Sequence, residues 1–300
     1  MRIGVLGAGA WGSALAHVAR TAGHEVEVWS RGSSPEPLRS AQGLILAVPA
    51  QGVRAALSNL KSIVTNAIPL IISAKGIEQG TGLFMNEVVA EVLPAAEPMV
   101  LSGPSFAADV MKGLPTAVVL AAGQISHAHQ WAEALSLPQF RIYASDDVKG
   151  VEIGGALKNV LAIACGISDG RGLGDSARAA LTTRGFAELT RFAAKLGANP
   201  ETLMGLSGLG DLLLTCSSRQ SRNYSFGHAL GEGKTVEQAL SQSRGVVEGA
   251  ATVKIAQALA RQHGVDMPIV DAVHAIVDEG SAPDQEIARL LARPLRAEIR

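Results

Sequence analysis

MRIGVLGAGAWGSALAHVARTAG, residues 1–23, is the stretch whose reading decides the fold. Residues 2–6 carry Ile3, Val5 and Leu6 with too little alternation for a half-exposed strand, so they read as a buried strand of a parallel sheet. The strand runs into Gly7-Ala8-Gly9-Ala10-Trp11-Gly12. From Ala10 the apolar residues take helix period, with Leu15, Val18 and Ala19 on one stripe and Gly23 placed to end it. A G-x-G-x-x-G that closes a strand and opens a helix has a mechanical meaning. Gly7 permits the tight turn, Gly9 lets a pyrophosphate approach the backbone, and Gly12 lets helix and strand pack closely; the pyrophosphate then sits at the positive helix end. The pattern alone is weak and competes with a ligand-free glycine turn. Here a second strand, residues 25–29, follows where a βαβ unit needs it.

Three hundred residues exceed one mononucleotide-binding fold, so two domains are expected. At 47% hydrophobic and 18% charged the chain can bury a large core. A net charge of −1 supplies no general field for nucleic acid or an anionic membrane, so neither is an expected partner and an anionic ligand must be held by local basic residues. There is no run of 18 or more apolar residues and the first strand starts at Met1, so neither a membrane span nor a signal peptide is expected. Cys165 and Cys216 sit in apolar helical patterns, which suits a reducing cytoplasm better than a disulfide framework. The seven histidines show no metal-ligand spacing, and His127 and His129 are expected to be solvated.

After Trp29 comes a turn-rich stretch in which Ser34 is expected to cap a short helix starting at Pro35. Strands are expected at residues 43–48, 69–74, 99–101, 116–121 and 140–144, with helices between them. This alternation reads as a doubly wound Rossmann-type α/β domain with a parallel sheet, whose ligands lie beyond the carboxyl ends of the strands. Gly7–Gly12, Lys75 and residues 102–107 all fall on that edge. From residue 148 onward everything reads as helix, with Ile153, Leu157, Val160, Leu161, Ala164 and Ile167 as one stripe. Asn199-Pro200-Glu201 has helix-start form, and Thr235 to Gln238 has capping-box form. The expected division is a dinucleotide-binding domain, residues 1–147, and an all-helical substrate domain, residues 148–300, with the site in the cleft between them.

Lys158 and Asn159 stand side by side at the border of that stripe. By spacing alone, a lysine snorkelling along an apolar face is the better reading of Lys158. Gly154 and Gly155 argue otherwise, because each costs helix stability of roughly 1 kcal/mol and needs a close approach to justify it. Asp211, in Gly208-Leu209-Gly210-Asp211, reads as either a helix cap or a functional carboxylate. Ser221-Arg222-Asn223 reads as either a polar loop or a set of phosphate donors.

Seven runs in order carry a resemblance over nearly the whole length: GAGAWG from Gly7, SAKGIE from Ser73, SGPSFA from Ser102, ALKNVLAIACGISDG from Ala156, GLGDL from Gly208, SRN from Ser221 and VVEG from Val246. On these the sequence resembles the NAD(P)-dependent glycerol-3-phosphate dehydrogenase family. The resemblance implies an oxidoreductase interconverting dihydroxyacetone phosphate and sn-glycerol 3-phosphate, feeding glycerolipid synthesis. It implies Lys158 as the proton-transferring residue, Lys75 close to both ligands, and Asn159 and Asp211 holding substrate hydroxyl or ammonium groups. Gly103, Ser105, Ser221, Arg222 and Asn223 are implied around the substrate, with Arg222 and Asn223 at its phosphate. Trp11, Ala107, Arg222, Val246 and Glu248 match cofactor positions, joining Gly7, Gly9, Gly12 and Lys75. A homodimer is compatible with the resemblance.

The chain departs from the family in two places. Ala10 stands where serine is frequent, and residues 31–42 are much shorter than the usual connection, which holds a helix and another strand. The strand at residues 25–29 is therefore expected at the sheet edge, with Glu25 and Glu27 on its wetter face. NADPH is the expected cofactor, with NADH admitted, because Arg31 follows the second strand and no carboxylate appears before Glu36. The β-hydroxyacid dehydrogenases, which also use a lysine, usually carry asparagine one helical turn beyond it, where this chain has Ala162. A non-catalytic NADP sensor is the other alternative, since a fold does not prove turnover.

Overall fold

The computed structural model describes residues 1–64, 66–243 and 245–295. Among these, seven strands form one sheet: β1 Arg2–Leu6, β2 Glu25–Trp29, β3 Gly43–Leu46, β4 Ile68–Ile72, β5 Ala96–Ser102, β6 Thr116–Ala122 and β7 Phe140–Ser145, ordered β2-β1-β3-β4-β5-β6-β7. Helices α1 Ala10–Thr21, α2 Val53–Ser58, α3 Met85–Val92, α4 Ala107–Met111 and α5 Ile125–Leu135 join the strands and cover the sheet. Strands β1 to β5 are parallel, and β3 is buried at every residue, as a strand covered on both faces requires.

The parallel sheet expected from the sequence is found except at one pair of strands. Strand β6 runs antiparallel to β5, and β7 is parallel to β6. The connection after β5 holds a helix of five residues, about 7.5 Å long, against a strand of seven residues, about 23 Å, so the chain re-enters the sheet from the end it left.

Strand β2 is the sheet edge, with Glu25, Glu27 and Val28 exposed. The short connection makes one turn and a single 3₁₀ helix, Glu36–Ser40, that buries Leu38 and delivers the chain to β3 on the far side of β1. This helix starts one residue later than Ser34 capping predicts. Pro35 and Pro37 lack N–H groups, so the first closed turn runs from Leu38 N to Pro35 O (2.9 Å). His127 is also not simply solvated, because its Nδ1 lies 2.5 Å from Glu97 Oε1 on the neighbouring strand β5.

The remaining elements are helical: α6 Val148–Gly170, α7 Gly174–Lys195, α8 Pro200–Met204, a π turn Leu206–Gly210, α9 Asp211–Cys216, α10 Arg222–Gly231, α11 Val236–Ser241, α12 Glu248–Gln262, α13 Pro268–Val277 and α14 Pro283–Leu291. Helix α6 is the axis around which the others pack. Its residues 150–168 are all buried, so the expected single stripe is in fact a helix enclosed all round. Its length and an 18-residue window of mean hydropathy 1.4 reach the range of a membrane-crossing helix, yet that window is wholly buried within the protein. Asp147, Asn199 and Thr235 cap α6, α8 and α11 through their side chains.

Two buried carboxyls link elements that are far apart in sequence. Glu152 Oε1 on α6 accepts from Asn86 N in the first turn of α3 (3.0 Å), and Glu188 on α7 accepts from Ile269 N at the start of α13 (2.9 Å). Burial pushes Glu152 up from 4.5 to about 8 and Glu188 up to about 7. A carboxyl raised in the folded state contributes stability that is fully present below its unfolded value and lost as pH rises through the folded value. The melting temperature is therefore expected to fall between about pH 5 and pH 8. Glu152→Gln, which keeps the acceptor without the ionisation, is expected to flatten that fall; an unchanged slope would assign it to other groups.

Candidate active site

The carboxyl ends of five strands converge on one edge: β1 delivers Gly7, β2 Arg31, β3 the turn at Ala50, β4 Lys75 and β5 Gly103. In the glycine turn, Gly7 has φ +118°, and a Cβ on Gly12 would lie 1.8 Å from Gly7 O, so both positions are dictated by packing. Gly9 differs, because a Cβ there would meet nothing within 4 Å. The chain itself has no need of glycine at that position, whereas a pyrophosphate on the N-terminus of α1 does. Trp11 and Ala107 stand in the first turns of α1 and α4 beside this cradle. These residues fit a dinucleotide.

Helix α6 faces the same edge, and Gly154 and Gly155 have the close approaches that their helix cost implies. A Cβ on Gly154 would lie 2.7 Å from Ser207 O in the π turn, and one on Gly155 would lie 2.7 Å from Ser102 Oγ at the end of β5. They let the helix bearing Lys158 touch both the strand edge and the turn bearing Asp211. Asp211 is fully buried at the start of α9 and does not cap it. Its carboxylate lies between two ammoniums: Lys158 Nζ bonds Oδ1, and Lys75 Nζ bonds Oδ2 at 2.7 Å. Lys158 also donates to Thr215 Oγ1 (2.9 Å), whose own hydrogen goes to Asp211 O (2.6 Å), and Lys75 donates to Gly103 O (3.2 Å). Sequence reasoning missed Thr215, although its place four residues after Asp211 on an apolar helix was the available signal.

An ammonium has three donors. Each lysine therefore has one N–H without a partner among the described residues, and the cluster holds two cations against one anion. The largest influences on Lys158 oppose one another. Burial, the largest, pulls it down, Asp211 pulls it up and Lys75 pulls it down again, leaving it at about 8 instead of 10.5.

Asn159 and Asn223 are held by the protein itself. Asn223 Oδ1 accepts from Gly249 N (2.8 Å), Asn223 Nδ2 donates to Asn159 Oδ1 (2.9 Å), and Asn159 Nδ2 faces Lys75 O (3.4 Å). Asn159 thus supports the loop bearing Lys75. The Asn223 contact brings the N-terminus of α10, capped by Ser221, to the residue after Lys158. Arg222 is exposed there and makes no hydrogen bond or ion pair among the described residues. Ser105 Oγ donates to Gly103 O (3.1 Å). At the start of α12, Glu248 Oε1 accepts from Ala50 N across the cleft (3.1 Å), and burial raises its carboxyl; Val246 lies exposed just before it. Arg31 is exposed at the end of β2.

A dinucleotide cradle facing a buried, cation-rich lysine–aspartate–lysine cluster defines a nicotinamide-dependent oxidoreductase. The comparisons with known proteins narrow the class. Residues 147–288 match the description "NAD-dependent glycerol-3-phosphate dehydrogenase C-terminus", and residues 2–37 and 33–128 match its N-terminus in two pieces that meet in the short connection. A protein of Parvibaculum lavamentivorans named glycerol-3-phosphate dehydrogenase [NAD(P)+] is 48% identical over 327 residues, covering 99% of this chain and 98% of the relative. One of the same name from Brucella ovis is 47% identical, with 99% of each covered. A crystal structure of glycerol-3-phosphate dehydrogenase from Coxiella burnetii superposes with TM-score 0.91 and 37% identity over 97% of this chain and 99% of that one. The chain belongs to the NAD(P)-dependent glycerol-3-phosphate dehydrogenase family.

Proposed function

We propose that this protein reduces dihydroxyacetone phosphate to sn-glycerol 3-phosphate, and runs the reverse reaction, as a supplier of glycerolipid synthesis. The lysine–aspartate–lysine cluster, with one open N–H on each ammonium, carries this reading. When bound, the nicotinamide supplies or removes a hydride at the substrate's central carbon. Hydride arrival puts negative charge on the carbonyl oxygen. Lys158 Nζ stabilises that charge and delivers its proton there, so C=O becomes CH–OH and Lys158 is left neutral. Lys75 adds its charge beside the same oxygen, while Asp211 and Thr215 fix the direction of Lys158 Nζ. Gly103, Ser105, Ser221, Arg222 and Asn223 surround the substrate, and Glu248 lies at the cofactor. The assay is absorbance loss of NADPH with dihydroxyacetone phosphate; no turnover would overturn the reading.

Arg222 is the phosphate residue in this account, being the exposed guanidinium next to Asn223 with no hydrogen bond or ion pair among the described residues. Arg222→Ala is expected to weaken dihydroxyacetone phosphate by about 10–100-fold, since a charge-assisted contact contributes roughly 1.5–3 kcal/mol, and to leave unphosphorylated dihydroxyacetone nearly untouched. An unchanged ratio of kcat/KM for the two substrates would remove Arg222 from that role.

NADPH is preferred over NADH in this account, because Arg31 at the end of β2 meets the 2′-phosphate where a carboxylate would repel it. The remaining expectations belong to the same reading. The chain divides into domains 1–147 and 148–300, works in the cytoplasm without a membrane span, and is compatible with a homodimer, which sedimentation tests directly.

A further inference from the structure

Ser30-Arg31-Gly32-Ser33 form a β-turn at the carboxyl end of β2. Ser33 N donates to Ser30 O (3.1 Å), and Gly32, third in the turn, has φ +88°, the left-handed conformation that a type II turn requires there. Arg31 therefore stands at the second position, on the apex. Three more bonds lock it. Ser33 Oγ donates to Ser30 O (2.7 Å) and accepts from Ser30 N (3.2 Å), and the indole Nε1 of buried Trp29 donates to Ser33 O (3.0 Å). The carbonyl of Trp29 in turn accepts from Gly7 N (2.9 Å). The turn is thus fastened through one residue to the first glycine of the pyrophosphate cradle.

A hydroxyl has one hydrogen, and that of Ser33 is spent on Ser30 O, so in this arrangement Ser33 gives no donor to a ligand. Arg31 is exposed and bonded to no described residue. Because β2 is the sheet edge, no strand flanks this turn on its outer side, and its geometry rests on its own bonds.

We propose that Ser33 and Trp29 are positioning residues for cofactor selectivity. Their clasp holds the Arg31 backbone at a fixed offset from Gly7, so that a dinucleotide seated on the glycine turn presents its 2′-phosphate to a preset guanidinium. This rests on Arg31 being the 2′-phosphate residue. A disordered turn would give Arg31 the same charge but would surrender chain and side-chain entropy on each binding event.

Fluorescence titration of the full chain with NADPH and with NADH, without substrate, tests both layers. Arg31→Ala is expected to weaken NADPH by about 10–100-fold and NADH by less than about 2-fold. Ser33→Ala is expected to weaken NADPH by about 3–10-fold with the same small effect on NADH, and Ser33→Thr, which keeps the hydroxyl, to restore it. Trp29→Phe keeps an aromatic ring at that place, removes the N–H and is expected to reproduce the selective loss. If Arg31→Ala is selective while Ser33→Ala and Trp29→Phe leave NADPH unchanged or weaken both cofactors alike, the clasp is overturned and the Arg31 assignment stands. If Arg31→Ala weakens both alike, both are overturned.

Discussion

Lys158→Ala is expected to lower kcat for dihydroxyacetone phosphate reduction by about 10²–10⁴, the range that a positioned general acid supplies, and to leave NADPH affinity nearly unchanged. The side chain is buried on a helix whose neighbours hold it from every side, so its truncation removes the proton donor without touching the glycine cradle. The pH dependence gives a second reading of the same residue. With Lys158 at about 8, kcat/KM for reduction is expected to be flat below that pH and to fall about tenfold per unit above it, because the acid form is lost. Oxidation of glycerol 3-phosphate needs the neutral amine and is expected to show the opposite limb, rising with pH towards a plateau above about 8. Near-normal turnover by a folded variant, or a reduction profile without that limb, would move the proton transfer to another group.

The second large effect belongs to Asp211. Its carboxylate is the counter-ion of both Lys75 and Lys158, and it is inaccessible to solvent. Breaking a buried pair by removing one partner costs about 3–5 kcal/mol, because it leaves an uncompensated charge. In Asp211→Asn that cost is relieved at Lys158 by loss of its proton. The attraction that raised Lys158 is gone, while desolvation and the repulsion from Lys75 remain, and both act downward. The alkaline limb of the reduction profile is therefore expected to move below about 8, with kcat at neutral pH falling as the acid form is depleted. Profiles of wild type and Asp211→Asn with coincident limbs would show that the carboxylate does not set the Lys158 equilibrium. Thr215→Val offers a milder companion, since it removes one acceptor from Lys158 and leaves the charges in place.

Much of this was legible in the chain itself. The glycine turn announced its own surroundings, because strand, turn and helix are local structures whose periodicities lie within two dozen residues. The sheet edge at β2 followed from the length of one connection. The composition of α6 was also legible, but its burial on every face was not: a stripe is a property of the helix, whereas enclosure depends on how many helices pack against it. The antiparallel entry of β6 was missed for the same reason, since strand direction is set by where the preceding connection ends in space.

The sequence by itself determined the elements, the cradle and the family-bearing runs, because each is fixed by contacts within one stretch. It left Lys158, Asp211 and Arg222 as residues with bland alternatives. Only the tertiary structure brought residues 75, 158 and 211 within hydrogen-bond reach and buried the carboxylate between two ammoniums. The direction in which Lys158 titrates was likewise beyond the sequence. It is the balance of desolvation against two opposing neighbours, and each of those depends on distance and burial that no linear spacing encodes.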